Sequence, residues 1–85
     1  MPSATVLVRY WAAARAAAGV DSERLTGDTV GAVLGEAVAR HTGLAPVLRV
    51  ASVLVDGRAV DRELLEVTPI TDGAVVEVLP PFAGG

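Results

Sequence analysis

Ala74-Val75-Val76-Glu77-Val78-Leu79-Pro80-Pro81-Phe82-Ala83-Gly84-Gly85 is the stretch on which the fold turns. Residues 74–79 are mostly β-branched or apolar and follow the turn Thr71-Asp72-Gly73, so they read as the last strand. Pro80 and Pro81 pre-set φ, and the tail is expected to leave the domain stiffly rather than as a loose coil. Gly84 and Gly85 have no side chains and can enter a channel too narrow for any other residue pair. Fully extended, Pro80 to Gly85 reach about 20 Å, at roughly 3.3–3.6 Å per residue. That length spans the distance from a domain surface into a partner's active site, where the carboxylate of Gly85 is the group expected to be presented. Glycine makes up about 7% of residues generally, so a terminal pair arises by chance in about 0.5% of chains. The pair alone therefore carries little; the strand, the two prolines, Phe82 and Ala83-Gly84-Gly85 carry the reading together.

A strand of matching strength opens the chain. Thr5-Val6-Leu7-Val8-Arg9-Tyr10-Trp11 is rich in β-branched and aromatic residues. Ala12 to Ala18 is dominated by the best helix former and stops at Gly19, where a helix C′ residue would sit. Ser22 to Leu25 is a brief second strand, turned at Gly27-Asp28. Thr29 can cap a helix running to about Thr42 and stopped by Gly43. Val30, Val33, Leu34, Ala37, Val38 and His41 fall on one face of it, which makes it the main packing helix. Gly31 and Gly35 each cost about 1 kcal/mol relative to alanine, so tertiary contacts must hold it, and the two glycines can permit close approach to a sheet. Leu44 to Arg49 reads as a connector around Pro46, and Val50 to Val55 as a strand. Asp56-Gly57 signals a hairpin into Arg58-Ala59-Val60. Residues 61–67 read as a loop with one helical turn.

The order is therefore strand, helix, strand, helix, then several strands, with the strongest strands at the two ends. A mixed sheet covered on one face by the main helix is the natural two-layer solution. The terminal strands can lie side by side and parallel, with a helix supplying the crossover.

Composition excludes several kinds of chemistry. The 85 residues suit one domain, and 52% apolar content can build a core without staples. There is no cysteine, so disulfides, thiolate nucleophiles and cysteine-ligated metals are absent. His41 is the single histidine, and a metal site is not expected. A net charge of −3 with no basic stripe argues against nucleic acid. All seven basic residues are arginine, so the chain cannot form lysine isopeptide polymers of itself. With no signal-like segment and no apolar run of membrane-spanning length, the expected location is the cytoplasm.

Across essentially its whole length the sequence resembles the MoaD/ThiS family of ubiquitin-like β-grasp sulfur carriers. The likeness rests on Val6-Leu7-Val8-Arg9-Tyr10-Trp11-Ala12 leading to Arg15, on the Thr29 helix, on Val53-Leu54-Val55-Asp56-Gly57, and above all on Thr71-Asp72-Gly73 before the strand ending Leu79-Pro80-Pro81-Phe82-Ala83-Gly84-Gly85. Within that family it is most similar to small subunits of molybdopterin synthase. Ala16 stands where the family often has an acidic residue after the helix arginine, and Ala74 where one often follows the late Asp-Gly turn; both departures lie away from the tail.

The resemblance implies an α+β β-grasp domain over residues 1–79 and a flexible reactive tail over 80–85. It implies that an ATP-using, ubiquitin-activating-type adenylyltransferase converts Gly85 to a glycyl adenylate, and that a sulfurtransferase persulfide displaces AMP to leave a thioglycine, the thiocarboxylate. Such a group is a far better nucleophile than the carboxylate. Pro80, Pro81, Phe82, Ala83 and Gly84 would insert into the large subunit of molybdopterin synthase, in a heterotetramer, where a pyranopterin precursor receives the sulfur. No cofactor or metal is implied on this chain, and the acid–base residues are expected on the partner. Thiazole, cysteine or other thio-metabolite pathways remain alternatives. So do a ubiquitin-like protein modifier and an interaction module with an inert tail.

The remaining side chains have structural readings. His41 is expected to pack partly against the core or to favour the helix C-terminus when charged. Asp56 and Asp72 shape turns. Tyr10 and Trp11 are read as core or interface residues, and Arg15 as a helix-holding residue with partner contact as the alternative. Phe82 has little core left to join and is expected to anchor the tail in a partner's hydrophobic groove.

Overall fold

The computed structural model describes residues 3–81. Its first strand, β1 (Ala4–Tyr10), buries Val6, Val8 and Tyr10 and turns Thr5 and Arg9 to solvent, the alternation of a sheet with one covered face. Trp11 is not part of it. The chain bends there, with Ala12 in the left-handed region at φ 50°, and enters α1 (Ala12–Ala18), which ends at Gly19. β2 (Ser22–Gly27) returns antiparallel to β1.

Helix α2 (Val30–Arg40) starts as the sequence predicts, the Thr29 hydroxyl accepting the Ala32 N–H at 3.1 Å. Such a cap is worth about 1 kcal/mol. The helix buries Val30, Val33, Leu34 and Ala37. It ends at Arg40, short of Thr42, because His41 leaves helical geometry at φ −134°. Gly31 explains the close approach anticipated for this helix, though its neighbour is not the sheet. A Cβ there would overlap the Glu66 carboxylate, while the Gly31 N–H donates to the Leu65 carbonyl at 2.7 Å and the Val30 N–H to the Thr68 carbonyl at 3.0 Å. Two first-turn donors that helix geometry leaves without partners are thus satisfied by the loop.

The segment read as a connector around Pro46 is a short helix, α3 (Leu44–Leu48). Pro46 lies in its first turn, where a missing N–H removes no helical bond. Fully buried Leu44 fixes the helix to the core. Arg62, in a 3-10 turn over Arg62–Leu64, donates to the Leu48 carbonyl at 2.9 Å and the Ala51 carbonyl at 3.0 Å, closing the end of α3.

β3 (Ser52–Val55) begins later than predicted because Val50 and Ala51 still bond back to Val47. It pairs with the two-residue edge strand β4 (Arg58–Ala59). Asp56 (φ 49°) and Gly57 (φ 83°) are both left-handed, as a tight hairpin requires. Asp56 Oδ1 also accepts the Val75 N–H at 2.9 Å, tying the hairpin to the next strand.

That strand, β5 (Val75–Leu79), runs parallel to β1 with Leu7 opposite Val75 and Tyr10 opposite Val78, and antiparallel to β3 on its other side. The sheet order is β2-β1-β5-β3-β4. Val6, Val8, Leu25, Val53, Val76 and Val78 meet α2, Leu44 and Ala14 in one core, each fully buried aliphatic side chain contributing about 1.5–3 kcal/mol relative to exposure. This is a mixed sheet with parallel terminal strands on packed helices, the α+β ubiquitin-like β-grasp arrangement.

Candidate functional site

β5 delivers the chain to Pro80 and Pro81, both exposed, at the centre of one end of the sheet. The predicted residues Phe82, Ala83, Gly84 and Gly85 lie outside the described residues. What the structure describes is the root from which they depart.

Trp11 stands beside that root. Its N–H donates to the Val78 carbonyl at 3.1 Å, continuing the parallel ladder one residue past β1. Its indole Nε1–H donates to Glu77 Oε2 at 3.1 Å, and the Arg9 guanidinium lies 5.1 Å from the ring centroid, a cation–π distance. Arg9 and Glu77 are partners across β1 and β5, so the three side chains share the sheet face away from the core. The indole is 37% exposed. Trp11, Ala12, Ala13, Val47, Val50, Leu79, Pro80 and Pro81 are among the walls of a cleft of about 230 Å³, apolar but for backbone. Val50 on its rim is 61% exposed.

The outer sheet face continues this surface. Leu7, Leu54, Val75 and Leu79 are half-buried there, with Arg9 and Arg24 beside them. Apolar area rimmed by arginine has the composition of a protein-docking face.

A second cluster lies on the core side at the same end. Glu23 Oε2 accepts the Tyr10 hydroxyl at 2.6 Å and sits 2.7 Å from His41 Nε2, while Arg40 lies 3.8 Å from Glu23 Oε1. Burial, reinforced by Glu23, holds the Tyr10 phenol well above the ordinary tyrosine range. Tyr10 therefore stays protonated at neutral pH and acts as a buried donor, joining the ends of β1 and α2 through Glu23. His41 has the helix-end position predicted for it. Arg15 sits 3.8 Å from Asp21 at the surface. Among the described residues, no three His, Asp or Glu side chains gather as a metal site would require.

The sequence alone does not bring Trp11, Glu77 and Arg9 together. Their signal is present once β1 and β5 are paired in parallel: Arg9 then faces Glu77, and Trp11, two residues beyond Arg9, shares its face.

The sequence matches the ThiS family over residues 8–85. The chain belongs to that family. Among solved structures, the ThiS-family chain is similar to small archaeal modifier protein 1 of Methanosarcina acetivorans, at 25% identity over 98% of each chain and a TM-score of 0.84. It is similar also to a Pyrococcus furiosus protein assigned as molybdopterin converting factor subunit 1, at 30% identity over 94% of this chain and 100% of the other, TM-score 0.78. A third likeness is to the CysO complex with BexX from Amycolatopsis orientalis, at 27% identity over 94% and 99%, TM-score 0.76. No curated protein matches the chain. Membership places it in the ubiquitin-like β-grasp sulfur-carrier superfamily. Among the described residues no helix is long and apolar enough to cross a membrane.

Proposed function

We propose that residues 1–79 form the carrier domain, that 80–85 form its reactive tail, and that the α-carboxylate of Gly85 carries sulfur. The observation that supports this most is the course of β5: the central strand ends at Leu79 beside an exposed tryptophan and hands the chain directly to Pro80-Pro81-Phe82-Ala83-Gly84-Gly85 in a ThiS-family sequence. A carboxylate is a poor acyl donor, so activation comes first. The Gly85 oxygen attacks the α-phosphorus of ATP on a ubiquitin-activating-type adenylyltransferase, and pyrophosphate leaves. A persulfide sulfur of a sulfurtransferase attacks the acyl carbon and AMP leaves. A thiol then reduces the acyl disulfide to the thiocarboxylate. This chain supplies the carried group, and the enzymes supply ATP binding and proton transfer.

For the acceptor, the likeness to the Pyrococcus furiosus subunit supports a pyranopterin precursor held by the large subunit of molybdopterin synthase in a heterotetramer. The similarity to CysO supports a different thio-metabolite, and this reading and the modifier one together are better supported than the pterin reading. The similarity to the archaeal modifier favours a second reading, in which activated Gly85 is joined to a lysine of another protein.

Intact mass after incubation with ATP, the adenylyltransferase and a sulfur donor, with fragmentation of the last peptide, tests the carrier step. Exchange of one Gly85 oxygen for sulfur is expected; an unchanged Gly85 beside a converted control carrier would overturn it. Conversion of the pterin precursor with the large subunit separates the molybdopterin acceptor from other small molecules. Conjugates that survive reduction identify the modifier.

A further inference from the structure

We infer that Trp11 is a positioning residue for the tail: its indole forms the wall against which Leu79-Pro80-Pro81 leave the sheet. The reaction part of this inference rests on the carrier reading; the geometric part does not.

The last bond of the parallel ladder runs from the Trp11 N–H to the Val78 carbonyl. Beyond Leu79, Pro80 and Pro81 have no N–H to donate, and among the described residues no backbone N–H donates to their carbonyls. Side-chain contact is present there instead: Trp11, Val47 and Val50 stand with the two prolines around one apolar cleft. The indole is itself held on two sides, by the bond to Glu77 Oε2 and by Arg9 over its ring. Ala12, directly after it, keeps a left-handed φ of 50° that costs a non-glycine residue about 1 kcal/mol. That bend turns the chain off the line of β1 into α1 while Trp11 keeps its side chain over the end of β5. The same bend starts α1, which buries Ala14 and Ala18, while Ala12 and Trp11 themselves stay exposed.

Two measurements test this. The chain contains no cysteine, so Ala83→Cys takes a spin label at one position. In the labelled chain otherwise wild-type, amide broadening should concentrate on residues around the cleft, 12–14 and 47–51. With Trp11→Ala added it should weaken there and spread to the outer sheet face, while the amides of α2 keep their shifts. In the unlabelled chain, Trp11→Ala should lower kcat for Gly85 adenylation about tenfold with KM for the carrier changed less than about threefold. Trp11→Phe, which keeps a ring, should recover most of the rate. If Trp11→Ala does not fold, the same readouts on Trp11→Leu and Trp11→Phe decide. Identical broadening with and without the indole overturns the inference, as does a rise in KM with kcat intact, which would make Trp11 a docking contact. A wild-type chain that is never adenylated overturns the carrier reading instead and leaves the broadening result standing.

Discussion

Glu23 Oε2 receives the Tyr10 hydroxyl at 2.6 Å, and this bond makes the only tyrosine of the chain a reporter of the fold. Burial first, and Glu23 second, raise the phenol's pKa in the folded state above its unfolded value near 10. The group thus contributes stability that is fully present below about pH 10 and is lost progressively as pH rises above it, because the unfolded chain releases the proton while the folded chain retains it. Urea unfolding free energies should be flat in this contribution at neutral pH and fall in the alkaline range. Tyr10→Phe should flatten that fall and lower stability at pH 7 by about 1 kcal/mol. Ultraviolet titration should show tyrosinate appearing only together with unfolding; ordinary titration near pH 10 in the folded chain would contradict this.

Gly31 and Gly35 occupy successive turns of α2 and should respond oppositely to the same substitution. A methyl at Gly31 meets the Glu66 carboxylate and lies 3.0 Å from its Cα, whereas nothing lies within 4 Å of one at Gly35. Gly35→Ala is expected to raise the stability by about 1 kcal/mol through helix propensity. Gly31→Ala should lower it by about 1 kcal/mol: the Glu66 carboxylate can swing aside, but its Cα, on the loop bonded to the Gly31 and Val30 N–H groups, cannot. Thermal melts of the two variants side by side check both signs.

Arg62 closes the end of α3 through two backbone carbonyls, a fork that lysine cannot reproduce. Arg62→Ala and Arg62→Lys should both destabilise the domain, by about 1–2 kcal/mol for the loss of two charge-assisted bonds at a partly exposed site. Amide exchange should accelerate first at residues 47–51. Uniform acceleration across the sheet would argue against a local role.

At the tail, one residue added after Gly85 should abolish adenylation, because the carboxylate moves out of register with the activating site. Phe82→Ala should weaken binding to the receiving enzyme while leaving the melting temperature nearly unchanged. Titration calorimetry and thermal melts check the second expectation, and intact mass the first.

The sequence made the terminal strands, α1, the start of α2 and the Asp56-Gly57 turn legible, because each is governed by neighbours: β-branched runs, an alanine run before Gly19, a threonine cap, a left-handed dipeptide. Pro46 misled for a physical reason. A proline breaks a helix from its interior but not from its first turn, and nothing local says where that turn begins. The Trp11–Glu77 bond becomes visible only with the register of β1 and β5, and the Arg62 fork only with the path of the turn past the end of α3. Ala12 gives no local sign of its positive φ, being one of a run of alanines. Of the candidate site, Pro80 and Pro81 are described, whereas Phe82 to Gly85 rest on the sequence and on family membership.

β5 lies between β1 and β3, bonded to both. A pull at Leu79 along the strand would load two ladders in shear, many bonds sharing it at once, instead of peeling an edge strand one bond at a time. Under the proposed function, a partner could grip the chain by this end and draw it into an active site without unravelling the domain.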